Sequence, residues 1–351
     1  MICHYAVEVR LDMKKDYGMT PEGQRGTVYT ICGGGLQAEV MDYGATLVRL
    51  WVPDRMGKLA DVVLGYDSAW EYAVNNSNLG ATVGRNANRV GGATFLLNGQ
   101  QVSLAANDHE VNNLHSGPDI YNHRMWQVES VTESTITLFL LSPHGDQGYP
   151  GNASIRVTYE LTDQSGLRIS YEFVSDRDTV FNMTNHSYFN LAGHEMPQKA
   201  MEQELWLNAE HFTPADCGSI PTGELRPVEG TPMDFLIPKP IGRDIGMDYD
   251  ALILQKGYDH NFEVAGQPCA RLRDLESGRT MEVYTDRPGL QFYSGNYLDK
   301  IGKGGTHYTW RGGVCLETQF FPDAVNKPQW QQPFVSAGVL CTSVTEYRFK
   351  W

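Results

Sequence analysis

IRVTYELTDQSGLRISYEF, residues 155–173, alternates apolar and polar side chains on either side of a turn. Ile155, Val157, Tyr159 and Leu161 share one face of the first run; Leu167, Ile169, Tyr171 and Phe173 share one face of the second. Successive side chains of a strand point to opposite faces, so this period of two predicts strands with one buried face. DQSG between them is turn chemistry, and the whole reads as an antiparallel hairpin.

The same pattern recurs outward. TFLLNGQQVSL, residues 94–104, sets Asn98 and Gly99 between two short strands, a turn whose positive backbone angles these two residues tolerate. The last ten residues, TSVTEYRFKW, alternate again. Helical candidates are few, the best being SAWEYAVNN at 68–76. An all-β chain, a large antiparallel β-sandwich, is therefore expected over alternating strands and helices. No linker, repeat or low-complexity tract interrupts it, and PTGELRPVEGTPMDFLIPKPIG (221–242) reads as a long loop over the sheet, so residues 1–351 are taken as one domain.

Composition narrows the function. The 351 residues are 41% hydrophobic and 20% charged, ordinary for a folded chain in water. A formal net charge of -14 argues against nucleic acid, which calls for clustered Lys and Arg. No apolar run has the length of a membrane span or of a signal-peptide core, which reads as no membrane partner and a cytoplasmic protein. The six cysteines are dispersed without a C-x-x-C pair and read as reduced core residues.

NMTNHSYFNLAG, residues 182–193, departs from a plain surface strand. Phe181, Met183, Phe189 and Leu191 fall on one side, while Asn182, Thr184, His186, Tyr188 and Asn190 fall on the other. Uncharged amides, hydroxyls and one imidazole suit a neutral polar ligand such as a sugar. In VCLETQFFPDAVN (314–326), Glu317 shares a strand face with Cys315 and Gln319; a carboxylate in so apolar a run is either held by hydrogen bonds or has work to do. GYDHNFEV (257–264) adds Asp259 and His260, with a turn-forming Asp as the plainer reading. GRNANRVGG (84–92) adds Arg85, Asn88 and Arg89, and LQFYSGNYLD (290–299) adds Gln291 and Tyr293. HEVNNLH (109–115) misses the zinc-protease spacing, and GKGGT (302–306) misses the phosphate-loop spacing and reads as a turn.

In combination these segments are specific. GRNANRV, NLHSG, NHSYFNLAG, GYDHNF, LQFYSGNYLD and CLETQFFPDAVN, in order over roughly residues 27–350, resemble the blocks of the aldose 1-epimerase family, the galactose mutarotase type. The resemblance implies a galactose mutarotase-like supersandwich with a sugar groove across one sheet. It implies interconversion of α and β anomers of free aldoses such as glucose and galactose, with His186 as general acid, Glu317 as general base and His115 assisting near the ring oxygen. Asn88, Arg89, Asp259 and Gln291 would hold the sugar hydroxyls. The implied partner is a small-molecule aldose, with no cofactor and no metal, in a monomer or homodimer. The chemistry asks for a protonated imidazole beside a charged carboxylate, which an acidic neighbour such as Asp259 would favour.

Two stretches differ from the family's usual pattern. Ser116 stands where glycine is usual, and IYNHRMW (120–126) replaces the common Phe-Asp-Lys stretch before Trp126; both bear on the groove rim and thus on substrate preference. Two other functions use the same residues. A glycoside hydrolase would pair Asp259 with Glu317, and a sugar-binding module would keep the amides and aromatics but have no use for both His186 and Glu317.

Overall fold

The 155–173 segment folds as the alternation predicts. Ala153–Thr162 pairs with Gly166–Ser175 in an unbroken antiparallel ladder, with Ile155 opposite Phe173 and Tyr159 opposite Ile169. Ile155, Val157, Tyr159, Leu167, Ile169, Tyr171 and Phe173 are buried, while Arg156, Thr158, Arg168 and Ser170 between them are partly exposed. Each buried aliphatic or aromatic side chain of this kind contributes about 1.5–3 kcal/mol. This computed structural model describes residues 13–75 and 77–351; the opening segment read for a leader, with Cys3, and Asn76 lie outside them.

The hairpin supplies the third and fourth strands of a nine-stranded sheet. Its order is Gln127–Val131, Thr135–Ser142, Ala153–Thr162, Gly166–Ser175, Cys341–Lys350, Thr280–Thr285, Ala270–Arg273, Glu204–Leu207 and Lys239–Pro240. The alternating C-terminal run thus enters the centre rather than an edge. A six-stranded sheet runs Tyr188–Phe189, Val314–Gln319, Gly289–Tyr293, Asp259–Glu263, His211–Thr213 and Arg226–Pro227. Its inner residues Phe189, Leu290, Phe292, Leu316, Phe262 and Phe212 share one apolar core with Tyr159, Tyr171, Val283, Tyr347 and Phe349 of the larger sheet. Tyr347 Oη crosses the gap and donates to the Leu316 carbonyl at 3.0 Å. A five-stranded meander, Lys14–Met19 through Leu59–Asp61, adds Ile31, Ala38, Val40, Leu50 and Val52 to that core. The pairings within all three sheets are antiparallel, and the all-β sandwich follows.

Local signals held where turn chemistry was strong. Asn98 (φ 52) and Gly99 (φ 77) make the turn between Thr94–Leu97 and Gln100–Ser103. Ala69–Val74 is a helix because Ser68 caps it: Ser68 Oγ accepts from Glu71 N, and Glu71 Oε2 accepts from Ser68 Oγ. A second helix of the same length, Asp250–Gln255, is not among the sequence expectations; Tyr249 stands at its N-cap and supplies no side-chain cap. GKGGT is a hairpin turn, but Lys303 within it is buried and donates to Asp61 and to the carbonyls of Val48 and Val63. The 221–242 loop is not wholly loop, since Arg226–Pro227 and Lys239–Pro240 each close an edge of one large sheet.

Two expectations need correcting. Residues 181–191 are not one strand. Thr184–His186 pairs with Ala81–Val83 while Tyr188–Phe189 pairs with Val314–Gln319, and the pairing switches between them at Ser187, whose N and Oγ both donate to Asn185 Oδ1. The apolar back survives, with Phe181, Met183, Phe189 and Leu191 in the main core. Among the described residues the five cysteines are free, but only Cys269 and Cys315 are buried; Cys32 and Cys341 are half-buried and Cys217 is exposed. Among the described residues no helix is long and apolar enough to cross a membrane.

Candidate active site

The outer face of the six-stranded sheet is polar by alternation. Gln291 stands opposite Asn261 on one side and Glu317 on the other, so the three side chains lie abreast on neighbouring strands. Asp259, two residues from Asn261, shares their face and accepts from Gln291 Nε2 at 2.7 Å. The intervening residues His260, Phe292 and Leu316 turn inward, and His260 packs edge-on against Phe212. Asp259 therefore opens a strand rather than forming a turn.

A second layer of chain covers this face. Arg89–Val90 pairs with Asn113–Leu114, which knits the GRNANRV and NLHSG blocks together. Asn88 N donates to His115 Nδ1 at 3.1 Å and His115 N donates to the Asn88 carbonyl at 3.0 Å. Asn88, His115 and Ser116 all take positive φ, and this sharp path turns His115 inward. Ser116 is not on the rim: it is fully buried, and its Oγ accepts from Asn86 N and donates to the Asn86 carbonyl. The hydroxyl thus stitches the two blocks at a left-handed position where glycine would leave both Asn86 groups unmatched by it. IYNHRMW does reach the rim, because Asn122 Nδ2 donates to Asn78 Oδ1 at 2.9 Å.

Between the layers lies a cleft of about 320 Å³, in the lower range of the roughly 300–1,000 Å³ usual for small-molecule sites. Asn88, Arg89, His115, His186, Asp259, Gln291 and Glu317, the seven residues to which the family resemblance gives roles, line it. Ser77, Asn78, Leu114, Tyr188, Tyr293, Tyr297, Leu298 and Lys300 complete it. Tyr297 and Leu298 lie within the LQFYSGNYLD block and Lys300 directly follows it, a signal that proximity in sequence could have supplied. Ser77 and Asn78 follow the first helix and have no such signal. Of the polar front read in 182–190, only His186 and Tyr188 face the cleft. Asn182 accepts from Phe320 N, and Asn190 is tied to Gln203 and to the Met196 carbonyl. Arg85 is fully buried and spends its guanidinium on Ser142, Thr179 and the Pro150 and Gly151 carbonyls.

Glu317 is 2% exposed, its Oε2 has no hydrogen-bond partner, and its Oε1 stands 3.7 Å from His186 Nε2, too far for a hydrogen bond. A structural carboxylate would be satisfied; this one faces the cleft unmatched. Burial holds its pKa well above the usual carboxylate range, Asp259 adds to that, and Arg89 pulls the other way. Burial pushes His186 down to about 4, and pushes His115 well below the usual imidazole value, with His186 and Arg89 adding to it. Burial thus does not favour the expected charged pair: both groups are driven toward neutrality, and Asp259 acts on Glu317 rather than on His186. What persists is one dissociable proton shared by the pair.

Among the described residues, one group of three potential metal ligands occurs, His115, His186 and Glu317, whose ligand-capable atoms lie within 4.8 Å of one another. The hydrogen bonding does not suit an ion. His115 Nδ1 already accepts from Asn88 N, so the neutral ring carries its hydrogen on the cleft-side nitrogen, Nε2. Ligation through Nε2 would move that hydrogen and orphan a buried N–H. Activity is accordingly expected to survive prolonged chelation; loss with EDTA that a divalent ion restores would refute it. A second cavity of about 590 Å³ opens beside Asp61, His194 and Arg279, but its two arginines are spent internally, Arg49 on Glu39 and Asp67, Arg279 on the Val52, Lys58 and Leu191 carbonyls.

The family profile described as aldose 1-epimerase matches residues 27–348. The chain belongs to the aldose 1-epimerase family. It is 38% identical over 341 residues to the galactose mutarotase of Mus musculus, covering 95% of this chain and 97% of that one. It is 36% identical over 341 residues to the aldose 1-epimerase of Escherichia coli (strain K12), covering 94% and 97%. Among solved structures it resembles the GalM/aldose epimerase homologue from C. elegans, with TM-score 0.86, 29% identity and coverage of 93% of this chain and 99% of that one. It also resembles the galactose 1-epimerase of Lactobacillus acidophilus, with TM-score 0.83, 27% identity and coverage of 96% and 98%. Family membership thus rests on the whole chain, and the galactose mutarotase-like fold expected from the six blocks is the one observed.

Proposed function

We propose that the protein is an aldose 1-epimerase, acting as one domain on free aldoses such as glucose and galactose by opening and reclosing the ring. The observation that carries this is the unmatched Glu317 carboxyl set 3.7 Å from His186 in a cleft of monosaccharide size. Interconverting hemiacetal anomers needs one group to take the C1 hydroxyl proton and another to protonate the ring oxygen. Glu317 takes the first proton and His186 gives the second; the aldehyde forms, C1 turns about its bond to C2, and the ring closes on the other face with the two roles exchanged. The pair begins and ends with the same single proton. The reactive arrangement places it on His186, and a sugar hydroxyl donating to the Glu317 carboxylate favours that placement. His115 Nε2–H supports the ring-oxygen side. Each positioned transfer contributes about 10²- to 10⁴-fold.

Asn88, Arg89, Asp259 and Gln291 hold the hydroxyls. Asp259→Ala and Arg89→Ala are each expected to raise KM, since a charged hydrogen bond contributes about 1.5–3 kcal/mol, with kcat much less affected. Arg89 also pairs with Asp108, so a thermal melt must accompany that variant. Unchanged saturation in both variants would remove these residues from the binding set.

The test of the activity is polarimetry on freshly dissolved α-glucose and α-galactose, extended to xylose, arabinose and maltose to define preference. Failure to accelerate mutarotation of any of them would reject it. The pH profile follows from the one-proton pair. His186 gains a second proton only as pH falls toward about 4, and Glu317, held well above its ordinary value, keeps its own proton until well above the ordinary carboxylate range. kcat/KM should therefore show no acid limb near the ordinary histidine value of about 6.5. A fall through pH 6 to 7 would mean His186 titrates as a solvent-exposed imidazole does.

A further inference from the structure

Ser77 and Asn78 line the cleft without belonging to any of the six blocks. They follow the first helix, and the chain beyond them is fastened to the strand that carries His186. Ala81 N donates to the Asn78 carbonyl at 3.1 Å, Gly80 N donates to the His186 carbonyl at 3.1 Å, and Ala81 stands opposite His186 in the ladder. Ser77 Oγ meets Tyr66 Oη at 2.6 Å, which anchors the other end. Asn78 itself takes a φ of 55, a left-handed conformation in which asparagine is enriched. This short, tied path sets its side chain in the wall of the cleft that holds His186.

One half of that side chain is already matched. Asn122 Nδ2 donates to Asn78 Oδ1 at 2.9 Å, and among the described residues Asn78 Nδ2 has no partner. Asn122 is 8% exposed and does not line the cleft, so a buried amide is used to aim a half-buried one. A sugar hydroxyl both donates and accepts, so the free atom suits it whichever way the Asn78 amide is turned. Asn122 belongs to IYNHRMW, one of the two stretches in which this chain differs from its family's usual pattern.

We propose that Asn78 is a further sugar-binding residue, hydrogen-bonded to one hydroxyl of the aldose, and that Asn122 is the positioning residue that holds it. Both statements rest on the sugar-binding reading of the cleft given above. The test compares galactose with its 2-, 3-, 4- and 6-deoxy forms in the wild type, Asn78→Gly and Asn122→Ala. Glycine tolerates the φ of 55, so the first variant removes the side chain without strain, and thermal melts accompany both. Asn78→Gly should raise KM for galactose about two- to tenfold, the share of one neutral hydrogen bond, with kcat within about threefold. For the one deoxy sugar that lacks the hydroxyl Asn78 meets, variant and wild type should agree in KM within about 1.5-fold. Asn122→Ala should raise KM in the same direction and lose its effect on the same deoxy sugar. A rise of equal size for all five sugars, or none in Asn78→Gly, would overturn the role of Asn78; an Asn122→Ala effect lost on a different sugar, or absent, would overturn that of Asn122. A wild type that binds galactose without converting it counts against the activity alone, the same ratios then being read from Kd. One that neither binds nor converts any of the five overturns both.

Discussion

Glu317→Gln is expected to leave a folded protein whose anomer interconversion is slower by roughly two to four orders of magnitude, the range of general-base catalysis, with sugar affinity little altered. Glutamine matches the side chain in size and keeps its hydrogen bonding to hydroxyls, but cannot accept a proton at neutral pH. Removing a group that burial drives toward neutrality, and whose Oε2 has no partner, takes away no satisfied ion pair, so stability should hold or rise slightly. The measurement is polarimetric kcat together with thermal unfolding. Were Glu317 a structural carboxylate, stability would fall while turnover of the folded fraction persisted. Wild-type turnover in a folded Gln variant would defeat the mechanism and direct attention to Asp259 and His115 for the missing proton acceptor.

His186→Gln should lower kcat by a comparable two to four orders of magnitude, for the complementary reason. The amide nitrogen reaches near the position of Nε2 and still donates a hydrogen bond to a ring oxygen, yet it has no proton to release. Binding should be nearly unchanged, which separates this variant from Asp259→Ala and Arg89→Ala, whose losses fall on KM. The double variant with Glu317→Gln should be little worse than either single one, because acid and base act in the same step. Additive losses would show instead that the two residues serve different steps.

The fold was legible in the sequence because a sandwich repeats one local rule. Ile155 to Phe173 alternate at the period of a pleated strand, Asn98-Gly99 meets a turn's demand for positive φ, and Ser68 with Glu71 caps a helix within four residues. Each of these is decided by neighbours along the chain. The apolar back of 181–191 was legible for the same reason, and so was the isolation of Glu317 in an apolar run. The break at Ser187 was not, because it depends on two partners, Ala81–Val83 and Val314–Gln319, that compete for adjacent residues of one segment.

The site divides along the same line. Its seven residues could be named because six sequence blocks resemble those of the aldose 1-epimerase family, and their residue types then suit the chemistry that the resemblance implies. Which polar residues face the cleft could not be read that way. Asn182, Asn190 and Arg85 are as polar as their cleft-lining neighbours, but each meets buried backbone or side-chain groups that must be satisfied, and those groups come from segments remote in sequence. The protonation of the His186 and Glu317 pair belongs to the tertiary structure too, because the residue types alone suggested an ion pair, whereas loss of solvent at both groups drives each toward its neutral form. Alternation along a strand is local and survives in the sequence; burial, register between strands and the partner of each lone pair exist only once distant segments have met.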